Sequence, residues 1–129
     1  MTDAVVFPDV LSFAAAYLSP QLTAHGFPRT RITTDPAPRG DALEVWIQPD
    51  GGPVLDIVRE VVRLRVNCFA DDPGRILPLT RTVSALLVAA KGAGPIRTST
   101  RTGGPVLITP SVKPQTLMQF EMTVRGTPL

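Results

Sequence analysis

Polar and apolar positions alternate most clearly between Asp56 and Phe69. The even positions Val58, Val62, Leu64, Val66 and Cys68 are apolar, with Glu60 as the one polar interruption; the odd positions carry Arg59, Val61, Arg63, Arg65 and Asn67. A period of two predicts a long strand that feeds a core from one face and shows a basic stripe on the other. A helix would spread the same apolar set around its cylinder. Leu43, Val45 and Ile47 alternate in the same way with Glu44, Trp46 and Gln48, and Pro49-Asp-Gly-Gly-Pro53 between the two runs is turn chemistry, so a β-hairpin is expected. A last strand places Thr116, Met118, Phe120, Met122 and Val124 on one face and Leu117, Gln119, Glu121, Thr123 and Arg125 on the other. Weaker signals predict a short edge strand over Arg29–Thr34. Two further segments, Ile96–Thr102 and Val106–Thr109, are split by Gly103-Gly104-Pro105. Asp35–Gly40 reads as a proline-broken loop, and the tail Gly126–Leu129 is expected to fray.

Two stretches follow helical spacing instead. Leu11, Ala14, Leu18 and Leu22 form a stripe behind Pro8-Asp9, a favourable start because a carboxylate there meets the positive end of the helix. Ser19-Pro20 predicts an end or kink near Leu18, giving about three turns. In the second stretch, Asp72 is the expected N-cap and Pro73 the first helical residue. Ile76, Leu79, Val83, Leu86, Leu87 and Ala90 share a face, and Gly92 and Gly94 end the run. Pro78 inside this pattern predicts a late start or a bend in the first turn.

Parity constrains the hairpin. One arm is apolar at odd numbers and the other at even numbers, so opposed residues must sum to an odd number or an apolar row faces water. Any such register puts Glu44 and Trp46 on the face of Arg59, Arg63 and Arg65, where Glu44 can pair with an arginine and an arginine can stack on Trp46. The expected architecture is α+β: a single domain over residues 1–129, with a twisted, mostly antiparallel sheet, a long β-hairpin and two flanking helices, in the order α-β-β-β-α-β-β.

Bulk composition narrows this little. The hydrophobic share of 43% over 129 residues suits one folded domain, and fourteen prolines with ten glycines imply few elements and stiff connections. The formal charge is +2 and most basic residues are arginine; this weak balance without aromatic interleaving does not argue for nucleic acid. One cysteine and one histidine exclude an internal disulfide and a Cys/His metal set. The N-terminus lacks a signal-peptide pattern and no apolar run approaches the roughly 20 residues of a membrane span, so cytosolic synthesis is the expectation. His25 has no local nucleophile or carboxylate and reads as a cap, Cys68 as a buried thiol, and Asp71-Asp72 as a helix start. The glycine-rich turns lack the lysine and following helix of a phosphate cradle. No catalytic residue, metal or cofactor is expected. The candidate surface is the set Glu44, Trp46, Arg59, Arg63 and Arg65, because arginine makes forked pairs with carboxylates and is enriched with tryptophan at interfaces.

The whole layout resembles the tail terminator (tail-completion) proteins of long-tailed bacteriophages, especially the short forms in phages of actinobacteria. The resemblance runs from Pro8-Asp-Val-Leu11 and Tyr17-Leu18 to Leu43-Glu-Val-Trp-Ile47 and the Asp50-Gly-Gly turn. It continues through Arg63-Leu-Arg-Val-Asn-Cys-Phe69 and the helix reaching Ala90, and closes with Thr102-Gly-Gly-Pro105 and Thr123-Val-Arg-Gly126. Pro78 and the Pro114-Gln115 entry to the last strand depart from the pattern. The resemblance implies a virion structural protein without catalytic residues at the tail–head junction. It would form a homo-oligomeric, usually hexameric, ring on the last ring of the major tail tube protein, end tube polymerisation and present a joining surface to the head-side connector. DNA would pass through the lumen without being read. A ring needs two unlike complementary patches; the arginine face supplies one and the acidic Asp71-Asp72 turn part of the other. The alternatives are a head-closure or neck connector protein of the same virion, a non-viral ligand-binding or regulatory domain, and an RNA-binding α+β domain, for which the sheet lacks paired stacking aromatics.

Overall fold

The computed structural model describes residues 5–6, 8–34, 43–50, 59–108 and 113–128. They form an α+β domain of strands β1 (Val5–Val6), β2 (Arg31–Thr33), β3 (Leu43–Pro49), β4 (Arg59–Ala70), β5 (Ile96–Leu107), β6 (Gln115–Arg125) and β7 (Thr127–Pro128), with helices α1 (Val10–Ala24) and α2 (Pro73–Ala89). Five strands make one sheet in the order β2-β3-β4-β6-β5. Only β2 and β3 run parallel; the other neighbours are antiparallel. Since β6 is antiparallel to both β4 and β5, those two run the same way and α2 joins them as a crossover, with β6 inserted between. This puts β4 and β6 in the middle and leaves β5 at an edge.

The hairpin obeys the parity rule. Leu43 opposes Ala70, Val45 opposes Cys68 and Ile47 opposes Val66, so both apolar rows face one side. The β4–β6 ladder continues them without a shift, from Arg59 opposite Arg125 to Phe69 opposite Gln115, placing Leu64 against Phe120 and Val66 against Met118. The core consists of these side chains together with Val10, Ala14, Leu18 and Leu22 of α1 and Ile76, Leu79, Val83 and Leu87 of α2. Both helices therefore cover one face of the sheet, as amphipathic helices do when a half-apolar sheet must be shielded.

The α2 start follows the expectation at Asp72 and Pro73, whereas α1 begins after Pro8 and Asp9, and Asp9 is its cap, not a first-turn residue. Asp9 caps α1, accepting the Ser12 N–H at 3.1 Å and the Ser12 hydroxyl at 2.8 Å. The hydroxyl bond first, and then the backbone bond, hold the Asp9 carboxyl below its usual pKa. Asp72 caps α2 through the Gly74 N–H at 2.8 Å. His25 closes α1, its Nδ1 lying 2.7 Å from Gln21 O.

Several expectations need correction. Helix α1 does not end near Leu18 but runs through Pro20 to Ala24, carrying Leu22 into the core; burial of that side chain outweighs the one backbone bond proline removes. Helix α2 starts at Pro73, not late, and continues through Pro78. The two segments around Gly103-Gly104-Pro105 are one strand, β5, whose register against β6 shifts there. The tail pairs rather than frays: Thr127 and Pro128 oppose Val6 and Val5. The Asp35–Gly40 loop, the turn beyond Asp50 and the Asp56–Val58 start of the predicted long strand lie outside the described residues.

Candidate functional site

The sheet face turned away from the helices carries the predicted surface. On it, β3 contributes Glu44 and Trp46, β4 contributes Arg63, Arg65, Asn67 and Phe69, and β6 contributes Leu117, Gln119 and Glu121, each set in lateral rows fixed by the register. Arg63 lies opposite Glu121 and its Nε donates to Glu121 Oε2 at 3.2 Å. Arg65 donates to Asp50 Oδ1 at 3.3 Å, while Gln119 Nε2 donates to Asp50 Oδ2 at 3.2 Å. The Asp50 N–H in turn donates to the Arg63 carbonyl at 2.7 Å, anchoring the end of β3 to β4. Both arginine side chains remain about half exposed, so these pairs orient the guanidinium groups more than they stabilise the fold.

Glu44 and Trp46 behave differently from expectation. Glu44 is only 2% exposed and the arginine beside it is Arg31 of β2, at 3.4 Å; Lys113 Nζ approaches its other oxygen at 3.8 Å. Two cations from opposite parts of the chain thus balance one buried carboxylate and tie the segment before β6 to the far side of the sheet. Trp46 is half-buried, not exposed, and its ring lies against Phe69 at a centroid distance of 6.0 Å with the planes tilted by 56°, a common packing for aromatic pairs. Arg59 is in register with Arg125 at the far end of β4, and its side chain lies outside the described residues.

Asp71 and Asp72 are not brought to this arginine pair. Asp71 follows β4 and lies six residues beyond Arg65, roughly 20 Å along an extended chain; its carboxylate pairs with Arg75 at 3.6 Å, and Asp72 is engaged as the helix cap. The expected site is therefore two places: an ordered Arg63–Arg65 patch in mid-sheet and an acidic turn at the end of β4. Reading the sequence alone missed Asp50, Gln119 and Glu121, the groups that hold the arginines. Their parity put Gln119 and Glu121 on the correct face, but only the β4–β6 register identifies which arginine each one meets.

The helix-covered side contains polar groups of another kind. Thr80 and Thr116 share a hydrogen bond of 2.7 Å beside the Cys68 thiol, and Thr80 also donates to Ile76 O at 2.6 Å. Burial pushes Cys68 from the usual 9.0 up to about 12, against smaller opposing effects from Thr116 and Thr80. A thiol held protonated in this way is a packing group and a poor nucleophile. Among the described residues no group of three or more His, Cys, Asp or Glu is placed to hold a metal ion, and no helix is long and apolar enough to cross a membrane. Compared with models of known protein families the chain matches none, and no curated protein matches it at a significant level.

Proposed function

We propose that this chain is a structural subunit of a phage virion, a tail terminator that closes into a ring on the tip of the tail tube and gives the head-side connector its joining surface. The observation that carries the reading is the arginine pair on the sheet face turned away from the helices. Arg63 and Arg65 stand there in mid-sheet, exposed yet oriented by Glu121 and Asp50. An arginine already held in one geometry loses less side-chain entropy when a partner carboxylate arrives, which favours contact with a second protein. The acidic turn at Asp71 is exposed at a separate place on the molecule, so the two patches are unlike, as head-to-tail contacts in a ring require. The reading assigns the protein assembly rather than catalysis, and DNA passage rather than DNA reading.

Light scattering on the purified chain, alone and mixed with isolated tail tubes, tests this. Ring-sized mass, or particles bound only at tube ends in electron micrographs, is the expected result. The double reversal Arg63→Glu with Arg65→Glu should then abolish ring closure or end binding while the thermal unfolding midpoint stays close to that of the parent. Binding to the isolated connector with indifference to tubes would instead identify a neck protein. Indifference to both would remove the virion reading.

A further inference from the structure

The other side of the molecule, where α2 runs beside the edge strand β5, carries a second surface of different chemistry. Helix α2 has two stripes. Ile76, Leu79, Val83 and Leu87 enter the core, whereas Leu77, Arg81, Ala85 and Val88 follow helical spacing along an exposed flank. Leu77 is 45% exposed, Val88 43% and Leu107 of β5 56%. Among the described residues only two other large hydrophobic side chains, Val6 and Val106, are exposed to this degree, and Val106 stands opposite Leu117 on the other face of the sheet. Between helix and strand lies a groove of about 540 Å³ whose apolar walls include Leu77, Pro105, Leu107, Ile108 and Pro114. A second hollow of about 600 Å³ shares Pro105 with it and is bounded by Arg81, Ser84, Ala85, Val88 and Arg101. The Arg101 guanidinium donates to Ser84 Oγ at 3.0 Å and is thereby drawn toward α2.

Charge decides what such a groove accepts. From Pro73 to Phe120 the chain has no aspartate or glutamate, while Arg75, Arg81, Lys91, Arg97, Arg101 and Lys113 fall in that stretch. Every acidic residue except Glu121 lies before it. Neither α2 nor β5 therefore contains a carboxylate to neutralise Arg81 and Arg101. A nucleic acid is the poorer fit: the two hollows have no aromatic side chain on which a base could stack, and their walls are mostly apolar. Strand addition along β5 is also disfavoured, because Pro105 has no N–H and the register shifts on either side of Gly103 break the strand's regular spacing. Recognition at this surface must run through side chains.

We propose that the α2–β5 groove is a docking site for a protein segment in which apolar side chains are flanked by aspartate or glutamate. The apolar groups fill the hollow around Leu77, Pro105 and Leu107, and the carboxylates meet Arg81 and Arg101 at its rim. The site lies apart from Arg63 and Arg65 and does not depend on ring closure.

The test uses the full chain and a short fluorescent peptide alternating Leu and Asp, with Leu/Asn and Gly/Asp peptides and a labelled oligonucleotide as comparisons. Fluorescence anisotropy should show saturable binding of the Leu/Asp peptide, at least about tenfold tighter than either peptide comparison and weaker at higher salt. The paired variant Arg81→Glu with Arg101→Glu, and separately Leu107→Ser, should each lower affinity by about tenfold or more. Amide shift changes in the parent protein should cluster in residues 73–88 and 101–108; because this map needs no variant, it decides the question even where a substitution impairs folding. Equal binding of the Leu/Asn peptide, unchanged affinity in both variants, shifts centred on Arg63 and Arg65, or binding of the oligonucleotide alone would each overturn the proposal.

Discussion

Strands β4 and β5 are each twelve residues long and run in the same direction in one sheet, yet they have opposite characters. Strand β4 has a neighbour on both sides; from Val61 onward all but Val62 and the two exposed arginines are buried, and its ladder to β6 is unbroken. Strand β5 has one neighbour, slips register three times, and buries only Ile96 and Ser99. The difference comes from position. A central strand is packed by neighbours on both edges and by the helices, so one residue of slippage would turn a whole apolar row toward water. An edge strand loses little by slipping, so bulges, glycines and a proline are tolerated there. The two candidate surfaces inherit this contrast: oriented arginines on the regular central strands, and an irregular apolar groove beside the edge.

Substitutions in the two strands test this difference. The largest effect is expected from Phe120→Ala, since that side chain is fully buried opposite Leu64; a loss of about 3–5 kcal/mol should appear as a lower denaturant midpoint. Gly104→Ala should show that β5 nevertheless has one stringent position. Gly104 has φ +76° and an added Cβ would strike the Leu117 carbonyl, so a cost on the order of 2 kcal/mol or more is expected in chemical denaturation.

The buried thiol of β4 gives a smaller effect that depends on pH. Cys68 is raised in the folded state from 9.0 to about 12, so the unfolded chain releases its proton first on the alkaline side. Its contribution is fully present below pH 9 and is lost as pH rises toward 12, by up to about 1.4 kcal/mol per pH unit. Unfolding curves of the parent and of Cys68→Ala across that window should show a shallower alkaline decline in the variant, and thiol reagents should label the parent only after unfolding. The smallest effect belongs to Val106→Thr on β5, where the exposed side chain should change stability by no more than about 0.5 kcal/mol; thermal melts would register a larger loss if that part of β5 were packed as β4 is.

How much was legible beforehand follows the same division. The alternation in Leu43–Gln48, Val58–Cys68 and Thr116–Val124 identifies the three central strands, their inward faces and the parity of the hairpin, because each buries most of one face, with Glu60 and Val62 near one end of β4 as the partly buried positions. Capping at Asp72 is equally local, resting on one side chain and the nearest backbone N–H groups, whereas at Asp9 the sequence shows a carboxylate suited to a helix start without marking it as the cap. Strand β5, Ile96–Leu107, reads in sequence as two pieces, because glycine and proline mark a break wherever no neighbouring strand overrides them. For α1 the sequence predicts an end or kink near Leu18, and its continuation to Ala24 is not legible there, since the burial that holds Leu22 in place is not a property of the residues next to it. Pairing of the chain ends through β1 and β7 had no local signal at all.

The candidate surface divides the same way. Sequence periodicity alone determined that Arg63 and Arg65 share a face with Glu44 and Trp46, for parity is a property of the strand itself. Tertiary structure decided the partners: Glu121 and Asp50 for the arginines, Arg31 and Lys113 for Glu44, Phe69 for Trp46. Those contacts depend on strand order and on chain segments far apart in sequence, and they form only when β6 lies beside β4 and Lys113 comes within reach of Glu44. The groove beside β5 is likewise absent from any single stretch, arising where the second stripe of α2 meets the edge strand of the described sheet.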